Sequence, residues 1–266
     1  MVLSIVNGEL VEDPQISVLN KANFFAFSVY ESVRVTKRNI HFLNDHVDRL
    51  FDSAKMIGLE HNFSKEEIKK WTELLVSKIE KEDCLLRFQL FGADDASDVL
   101  LYIFPVGITF YPDKYYSNGV KVITYEYERL LPKAKTNNLL GSYIALRGAY
   151  KQDALEALLV NVNGEVLEGT RTNFYAIKEG ILYTNDCDVL DGVTRKHLLK
   201  VAEGIVKGIK FVSIKLSDIK KGLYDEYFIS SSTMGIMPIN QIDDQKICEK
   251  SGEYTRKLMK AVKKSN

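Results

Sequence analysis

The chain is poor in the residues that cross-link secreted proteins or hold metal ions. Its three cysteines, Cys84, Cys187 and Cys248, stand far apart, and its four histidines form no HExxH pair or similar spacing. An odd number of isolated cysteines indicates reduced thiols and a cytoplasmic location. The missing ligand spacing predicts that the protein binds no metal.

The chain also lacks a long hydrophobic run and an excess of either charge. The longest apolar stretch, residues 99–111, is broken by Pro105 and Gly107 and is too short to cross a bilayer. Basic and acidic residues number 36 each, so nothing favours nucleic acid or an anionic membrane as a partner. We therefore expect a soluble protein with neither kind of partner.

Periodic hydrophobic patterns predict a mixture of strands and helices. Residues 25–36 alternate as a long strand, whose second face carries Tyr30 and Arg34 at positions i and i+4. Residues 44–57 show helical spacing, and Ser64 with Glu67 forms a capping box for a further helix. Later patterns predict a helix over 194–206, a strand over 211–216 and a short helix capped by Ser217.

The pattern breaks into Tyr, Pro, Asp and Gly near residue 110, which suggests a boundary between two domains. We expect a small N-terminal α/β domain over residues 1–109, a linker over 110–118 and a larger domain over 119–266. The predicted class is α+β in two lobes, with a functional cleft between them.

Lys135 lies in the stretch LPKAKTNNLLG, residues 131–141, at a junction between a strand and a helix. Asn137 and Asn138 can cap the helix that follows. A lysine on such a short segment can attack a carbonyl as a free amine. Considered alone, Lys135 fits a solvated loop lysine better than a reactive amine.

Four more signals are individually weak. Glu168 stands where a strand breaks at Gly169, and Asp191 to Arg195 opens a helix whose free N–H groups could hold an anion. Residues 230–233 are a Ser/Thr cluster at the end of a strand. Arg49 in DHVDRL could simply pair with Asp45 one helical turn away.

The order of these signals along the chain resembles the fold type IV pyridoxal-phosphate enzymes. That family contains the D-amino-acid aminotransferases, the branched-chain aminotransferases and the aminodeoxychorismate lyases. The resemblance covers nearly the whole chain, and the segments NNLLGS, EGTRTNFYAIKEGILYT and EYTRKLMK look closest to the D-amino-acid aminotransferases.

The resemblance implies a role for each motif in binding pyridoxal 5′-phosphate. Lys135 would hold the cofactor and move the substrate proton, while Glu168 would face the ring nitrogen and keep it protonated. Tyr30 and Arg34 would contact the substrate. The remaining cofactor residues would be one that packs on the ring, Leu190, and five that hold the phosphate, Arg49, Val193, Thr194, Ser232 and Thr233.

The chain departs from the family where the substrate carboxylate is bound. The loop that carries an Arg-x-His trap in D-amino-acid aminotransferases is the short segment GADDASD here, residues 92–98, with neither residue. The family's Gly-Asp-Gly before the tyrosine strand is Ala26-Phe27-Ser28. Arg34, Arg129 or Arg171 could replace the trap.

The resemblance therefore predicts a homodimeric aminotransferase that acts on amino acids and 2-oxo acids, with a D-amino acid such as D-alanine favoured. The alternatives are a branched-chain L-amino-acid aminotransferase, an aminodeoxychorismate lyase and a pyridoxal-phosphate-binding protein without turnover. Retention of both Lys135 and Glu168 argues against the last, because phosphate binding alone requires neither.

Overall fold

The computed structural model describes the backbone of residues 1–265 and the side chains of residues 1–263. It divides into two compact units. The first comprises Met1–Thr109 with Ala134–Asn138, and the second comprises Phe110–Lys133 with the residues from Leu139 onward. Residues 110–118, interpreted above as a linker, include a helix at Asp113–Asn118.

The first unit contains one antiparallel sheet of six strands in the order β2-β1-β6-β5-β3-β4. Its helices α2 and α3 belong to the same hydrophobic core as one face of that sheet. The elements are β1 (Leu3–Val6), β2 (Glu9–Glu12), α1 (Lys21–Phe25), β3 (Ser28–Thr36), β4 (Asn39–Ile40), α2 (Leu43–Met56), α3 (Lys65–Lys78), β5 (Cys84–Phe91) and β6 (Leu100–Val106).

Alternation along β3 and β5 separates the two faces of this sheet. Val29, Val33 and Val35 lie in the core with Leu86 and Phe88. The opposite face carries Tyr30, Ser32 and Arg34 from β3, and β5 pairs with them in register through Gln89, Arg87 and Leu85. The predicted helix over residues 44–57 is confirmed as α2, and the capping box of Ser64 and Glu67 is confirmed at the start of α3.

The second unit contains a sheet of ten strands, with the path β12-β11-β10-β14-β15-β7-β8-β9-β13 and with β16 paired to β15. Its elements are α4 (Asp113–Asn118), β7 (Val120–Glu126), α5 (Leu140–Tyr150), β8 (Glu156–Val160), β9 (Glu165–Gly169), β10 (Asn173–Lys178), β11 (Ile181–Thr184), α6 (Val193–Ala202), β12 (Gly208–Phe211), β13 (Ile214–Lys215), α7 (Leu216–Lys220), β14 (Glu226–Ser231), β15 (Gly235–Ile242), β16 (Gln245–Lys246) and α8 (Glu253–Ser265). The predicted α+β class is confirmed.

Several predicted boundaries were wrong. Phe25 ends α1 rather than starting β3, because Ala26 adopts a left-handed conformation, with φ of 52°, that stops the helix before the strand. The single strand predicted over 211–216 is two short strands, β12 and β13, which pair with different neighbours. Ser217 lies inside α7, whose N-cap is Lys215.

Asn137 and Asn138 do not cap α5, whose N-cap residue is Leu139 without a side-chain hydrogen bond. Within residues 1–265, no helix is long and apolar enough to cross a membrane. The same part of the chain brings together no three His, Cys, Asp or Glu side chains as a potential metal site.

Candidate active site

The segment Ala134–Asn138 lies against the start of β3 and is held there by backbone hydrogen bonds. The Tyr30 N–H donates to the Lys135 carbonyl at 2.9 Å, and the Asn137 N–H donates to the Ser28 carbonyl at 3.1 Å. The Lys135 N–H donates to Ser53 Oγ on α2 at 3.0 Å. Both peptide groups of the lysine are therefore fixed, so only its side chain retains freedom.

The ring of Tyr30 lies beside two cations. Lys135 Nζ is 4.5 Å from the ring centroid and the guanidinium carbon of Arg87 is 3.5 Å from it. Tyr30 is buried and Lys135 is half-buried. Cations over an aromatic face gain a modest electrostatic attraction. The structure thus brings Lys135 together with Tyr30, the residue that the sequence suggested for the substrate.

Arg49 belongs to a buried cluster with Glu31 and His46. Its Nε and one terminal nitrogen donate to the two oxygens of Glu31 at 2.7 and 2.8 Å, and His46 Nδ1 lies 2.7 Å from the same carboxylate. Burial alone would raise the pKa of Glu31, but the charges of and hydrogen bonds from Arg49 and His46 lower it well below its usual range. The carboxylate therefore stays ionised and fixes the direction of the Arg49 guanidinium.

In the second unit, Glu168 is buried at the end of β9 and receives donors on both carboxylate oxygens. Oε1 accepts from Arg129, with Nε at 2.8 Å and a terminal nitrogen at 2.7 Å. Oε2 accepts from the Leu190 N–H at 3.0 Å and more weakly from the Asn173 amide at 3.5 Å. Charge-assisted bonds of this kind favour the ionised form of a carboxylate.

Leu190 leads into α6 through Gly192. The Asn173 amide donates to the Leu190 carbonyl at 2.8 Å, and a Cβ on Gly192 would lie 2.2 Å from Asn173 Oδ1. Only glycine therefore fits at position 192 without a shift of its neighbour. As the N-cap residue of α6, Gly192 offers no side-chain acceptor to the first turn.

The start of α6 meets the Ser/Thr cluster that follows β14. Helix α6 begins at Val193, one residue before the predicted Thr194. The Thr194 and Ser232 hydroxyls lie 3.3 Å apart, and Thr233 follows in the chain. Uncapped first-turn N–H groups, a helix dipole and two hydroxyls are well suited to a phosphate.

The three arginines considered as a carboxylate trap have different settings. Arg129 is bound to Glu168, as described above. Arg171 Nε lies 3.7 Å from the buried Glu156 and its terminal nitrogen donates to the Tyr150 hydroxyl at 3.0 Å. Arg34 shares the Tyr30 face of β3, but it lies roughly 13 Å further along the strand, where its charge helps to lower the pKa of His41 after the larger effect of burial.

The sequence interpretation passed over two informative charged residues in the first unit. Glu31 interrupts the apolar series Val29, Val33 and Val35, and a carboxylate on a core face needs a cationic partner. Arg87 stands in the otherwise apolar strand CLLRFQLF on the face opposite Leu86 and Phe88. Strand alternation alone could have drawn attention to both.

The side chains fit the three chemical requirements of pyridoxal 5′-phosphate. Lys135 supplies an amine on a fixed backbone, Glu168 supplies a carboxylate held by hydrogen-bond donors, and the start of α6 with Thr194 and Ser232 supplies neutral phosphate donors. Glycine at position 192 allows the close packing of the α6 N-terminus against Asn173. The roles of these residues stay predictions.

Comparisons with known proteins agree with this chemistry. A family model described as amino-transferase class IV matches residues 28–242. The D-alanine aminotransferase of Bacillus licheniformis is 30% identical over 277 residues, which covers 98% of this chain and 96% of that protein. The D-alanine aminotransferase of Listeria monocytogenes serotype 4b (strain F2365) is 33% identical over 270 residues, covering 96% of this chain and 92% of that protein. A branched-chain-amino-acid aminotransferase of Pseudomonas aeruginosa is 29% identical, covering 96% and 90%.

Solved structures show the same fold. The branched-chain amino acid aminotransferase of T.th. with pyridoxamine 5′-phosphate superposes with a TM-score of 0.91 at 24% identity, covering 99% of this chain and 93% of that one. The branched-chain aminotransferase of Escherichia coli superposes with a TM-score of 0.89 at 22% identity, covering 97% and 92%.

Proposed function

The chain belongs to the amino-transferase class IV family, and from this premise we propose that it transfers the amino group of a D-amino acid, such as D-alanine, to a 2-oxo acid. It is a pyridoxal 5′-phosphate-dependent aminotransferase. In the first half-reaction an amino acid gives up its amino group and is released as the corresponding 2-oxo acid. In the second, a different 2-oxo acid accepts the amino group and is released as an amino acid. When bound, the cofactor ring accepts the electron pair that is released as the Cα–H bond breaks.

Lys135 is the residue proposed to bind the cofactor covalently and then to carry the substrate proton. As a free amine, Lys135 would take the proton from the substrate Cα in one direction and would deliver a proton to that carbon in the reverse direction. The hydrogen bonds of its peptide groups to Tyr30 and Ser53 support this role, because they leave the side chain as the moving part. A general base held in this way works within a narrow range of geometry.

Glu168 is proposed to keep the ring nitrogen protonated, and Arg129 to keep Glu168 ionised. The Arg129 pair occupies Oε1, while Oε2 accepts from the Leu190 N–H and the Asn173 amide. A buried carboxylate needs such partners to remain charged. Arg129 acts through Glu168 and is therefore a positioning residue. Leu190 completes this part of the proposal as the residue that packs on the ring.

The phosphate is proposed to bind at the N-terminus of α6 with help from Arg49. The uncapped N–H groups of Val193 and Thr194 and the hydroxyl of Ser232 support the first part, and Thr233 follows Ser232 in the chain. The hydrogen bonds to Glu31 support the role of Arg49, because they hold its guanidinium rigid. Rigid donors bind an anion with little loss of side-chain entropy.

The D-amino acid preference rests on the relatives that carry the name D-alanine aminotransferase at 30% identity or more over nearly the whole chain. The Pseudomonas aeruginosa relative keeps a branched-chain L-amino acid as the second candidate substrate. Single-turnover reaction of the cofactor-loaded enzyme with matched D- and L-amino acids, followed by the change in cofactor absorbance, separates the two. Faster reaction with D-alanine than with L-alanine, L-leucine or L-valine is expected, and the reverse order would overturn the proposal.

A homodimer is also part of the proposal. Helix α5 exposes Leu140, Tyr143 and Ile144 on one side, while Ser142 and Ala145 are buried. Apolar residues at this helical spacing on an open surface mark a protein contact. We also propose a cytoplasmic location, which three free cysteines support. Neither nucleic acid nor membrane is proposed as a partner, because the charges balance.

A further inference from the structure

Arg87 is a largely buried cation that forms no salt bridge with a carboxylate of residues 1–263. Its terminal nitrogens donate to two neutral oxygens, Ser32 Oγ and Asn137 Oδ1, both at 3.4 Å. Its guanidinium lies over the Tyr30 ring. Burial lowers the pKa of this guanidinium, and the Tyr30 side chain and the charge of Glu31 offset the effect of burial only in part. An arginine nevertheless stays charged in proteins.

Three arginines described above are matched to carboxylates. Arg49 binds Glu31, Arg129 binds Glu168, and Arg171 lies beside Glu156. Arg87 differs from all three because its hydrogen bonds go to neutral groups, the Ser32 and Asn137 oxygens and the Tyr30 side chain. A partly buried guanidinium whose hydrogen-bond partners are all neutral can still direct strong bidentate hydrogen bonds to an incoming carboxylate.

Gln89 supplies a second unmet donor on the same face of the sheet. It is two residues from Arg87 on β5 and pairs in register with Tyr30. The residue is 5% exposed, and its side-chain Nε2 has no hydrogen-bond partner among the described residues. A buried amide without a partner is costly unless a ligand satisfies it.

We propose that Arg87, with Gln89 beside it, binds the α-carboxylate of both the amino acid and the 2-oxo acid. Arg87 forms the ion pair and Gln89 adds a neutral hydrogen bond. Both lie on the face of Tyr30, whose ring also adjoins the amine of Lys135. This assignment rests on the proposed aminotransferase function. It replaces the Arg-x-His trap that the short loop at residues 92–98 lacks.

The test compares substrates with and without a carboxylate. In Arg87→Met, we expect the KM for the preferred alanine enantiomer and for pyruvate to rise roughly ten- to a hundred-fold, the range for losing charge-assisted hydrogen bonds. The cofactor spectrum should not change. The ratio of single-turnover rates for alanine and ethylamine, which is alanine without its carboxylate, should fall by a similar factor. Arg87→Lys should recover part of the loss, because it keeps the charge.

The rival assignment is tested in parallel with Arg34→Met. A rise in KM for that variant, with Arg87→Met unchanged, would overturn the proposal in favour of Arg34. An equal loss for alanine and ethylamine in Arg87→Met would show that Arg87 only supports the fold of this face. If the wild-type enzyme transfers no amino group from any amino acid, the proposed function itself fails instead.

Gln89 offers a second, independent variant. Gln89→Glu would give Arg87 the internal carboxylate that it lacks, so substrate carboxylates would have to displace it. We expect a KM increase similar to that of Arg87→Met, whereas Gln89→Leu should raise KM only several-fold, since a neutral hydrogen bond is lost. An unchanged KM in Gln89→Glu would contradict the proposal.

Discussion

Replacing Glu168 by glutamine removes one charge from the second unit with almost no change in shape. The carboxylate now accepts from Arg129 on Oε1 and from the Leu190 N–H on Oε2. An amide has one oxygen and one NH2 group. If its oxygen keeps Arg129, its NH2 group faces the Leu190 N–H, and two donors then oppose each other.

The strength of the lost hydrogen bond sets the size of the expected effect on the reaction rate. Glu168→Gln removes the proposed charge-assisted partner of the ring nitrogen, worth about 1.5–3 kcal/mol. The same free energy in a barrier is about one to two decades of rate. Binding of the cofactor should change far less, because the proposed phosphate donors at α6 and the proposed covalent bond to Lys135 do not depend on Glu168. Some stability should also be lost, because Arg129 keeps its charge in a buried place.

The assay is the single-turnover half-reaction, measured alongside cofactor affinity. Glu165→Gln is the matched control, because Glu165 lies on the same strand and contacts Asn161 and Lys215 at the protein surface. Glu168→Gln should slow the half-reaction by one to two decades, while Glu165→Gln leaves it unchanged. Half-reaction rates equal to the wild type in Glu168→Gln would remove Glu168 from this role.

Two further predictions concern assembly and stability. Ile144→Glu places a charge in the exposed apolar stripe of α5 and should convert a dimer to monomers in sedimentation velocity, whereas a wild-type protein that is fully active as a monomer would refute the dimer. Burial lowers the pKa of His46 below 6.5, and the charges of Arg49 and Lys135 lower it further, although Glu31 acts in the opposite direction. The pKa of Glu31 is also lowered. The unfolded chain therefore binds protons more readily than the folded one, and stability should fall as pH drops below about 6.5 and further below about 4.5. Urea unfolding at pH 7.5, 5.5 and 4 measures this loss of stability, and a stability that rises on acidification would contradict the predicted direction. Glu31→Gln should lower the free energy of unfolding by about 3–5 kcal/mol at pH 7.5, because it leaves Arg49 without its buried partner.

Local patterns predicted the elements whose residues carry their own periodicity. The alternation along β3, the apolar stripe of α2 and the capping box of α3 depend on neighbours within a few residues, so the sequence alone reveals them. The break of residues 211–216 into β12 and β13 was not predictable in this way. It depends on two different partners, β11 and β9, which no local pattern identifies.

The same limit applies to the candidate site. Asn137 resembles a helix cap in sequence, but its amide donates to Ser28 Oγ at 2.8 Å, a residue more than a hundred positions earlier. Arg34 and Arg87 both lie on a polar strand face, and alternation cannot tell which of them lies over the ring of Tyr30. Only the pairing of β3 with β5 and with Ala134–Asn138 brings Arg87 and Lys135 to the same tyrosine.

The most direct test of the account is the identity of the lysine that holds the cofactor. Lys133 is the nearby competitor, but its Nζ donates to the Asp186 carbonyl at 2.6 Å and lies 3.3 Å from Asp191. Borohydride reduction of the purified enzyme, followed by peptide mapping, should place the phosphopyridoxyl group on Lys135. Recovery of the group on Lys133, or on no lysine at all, would contradict the account.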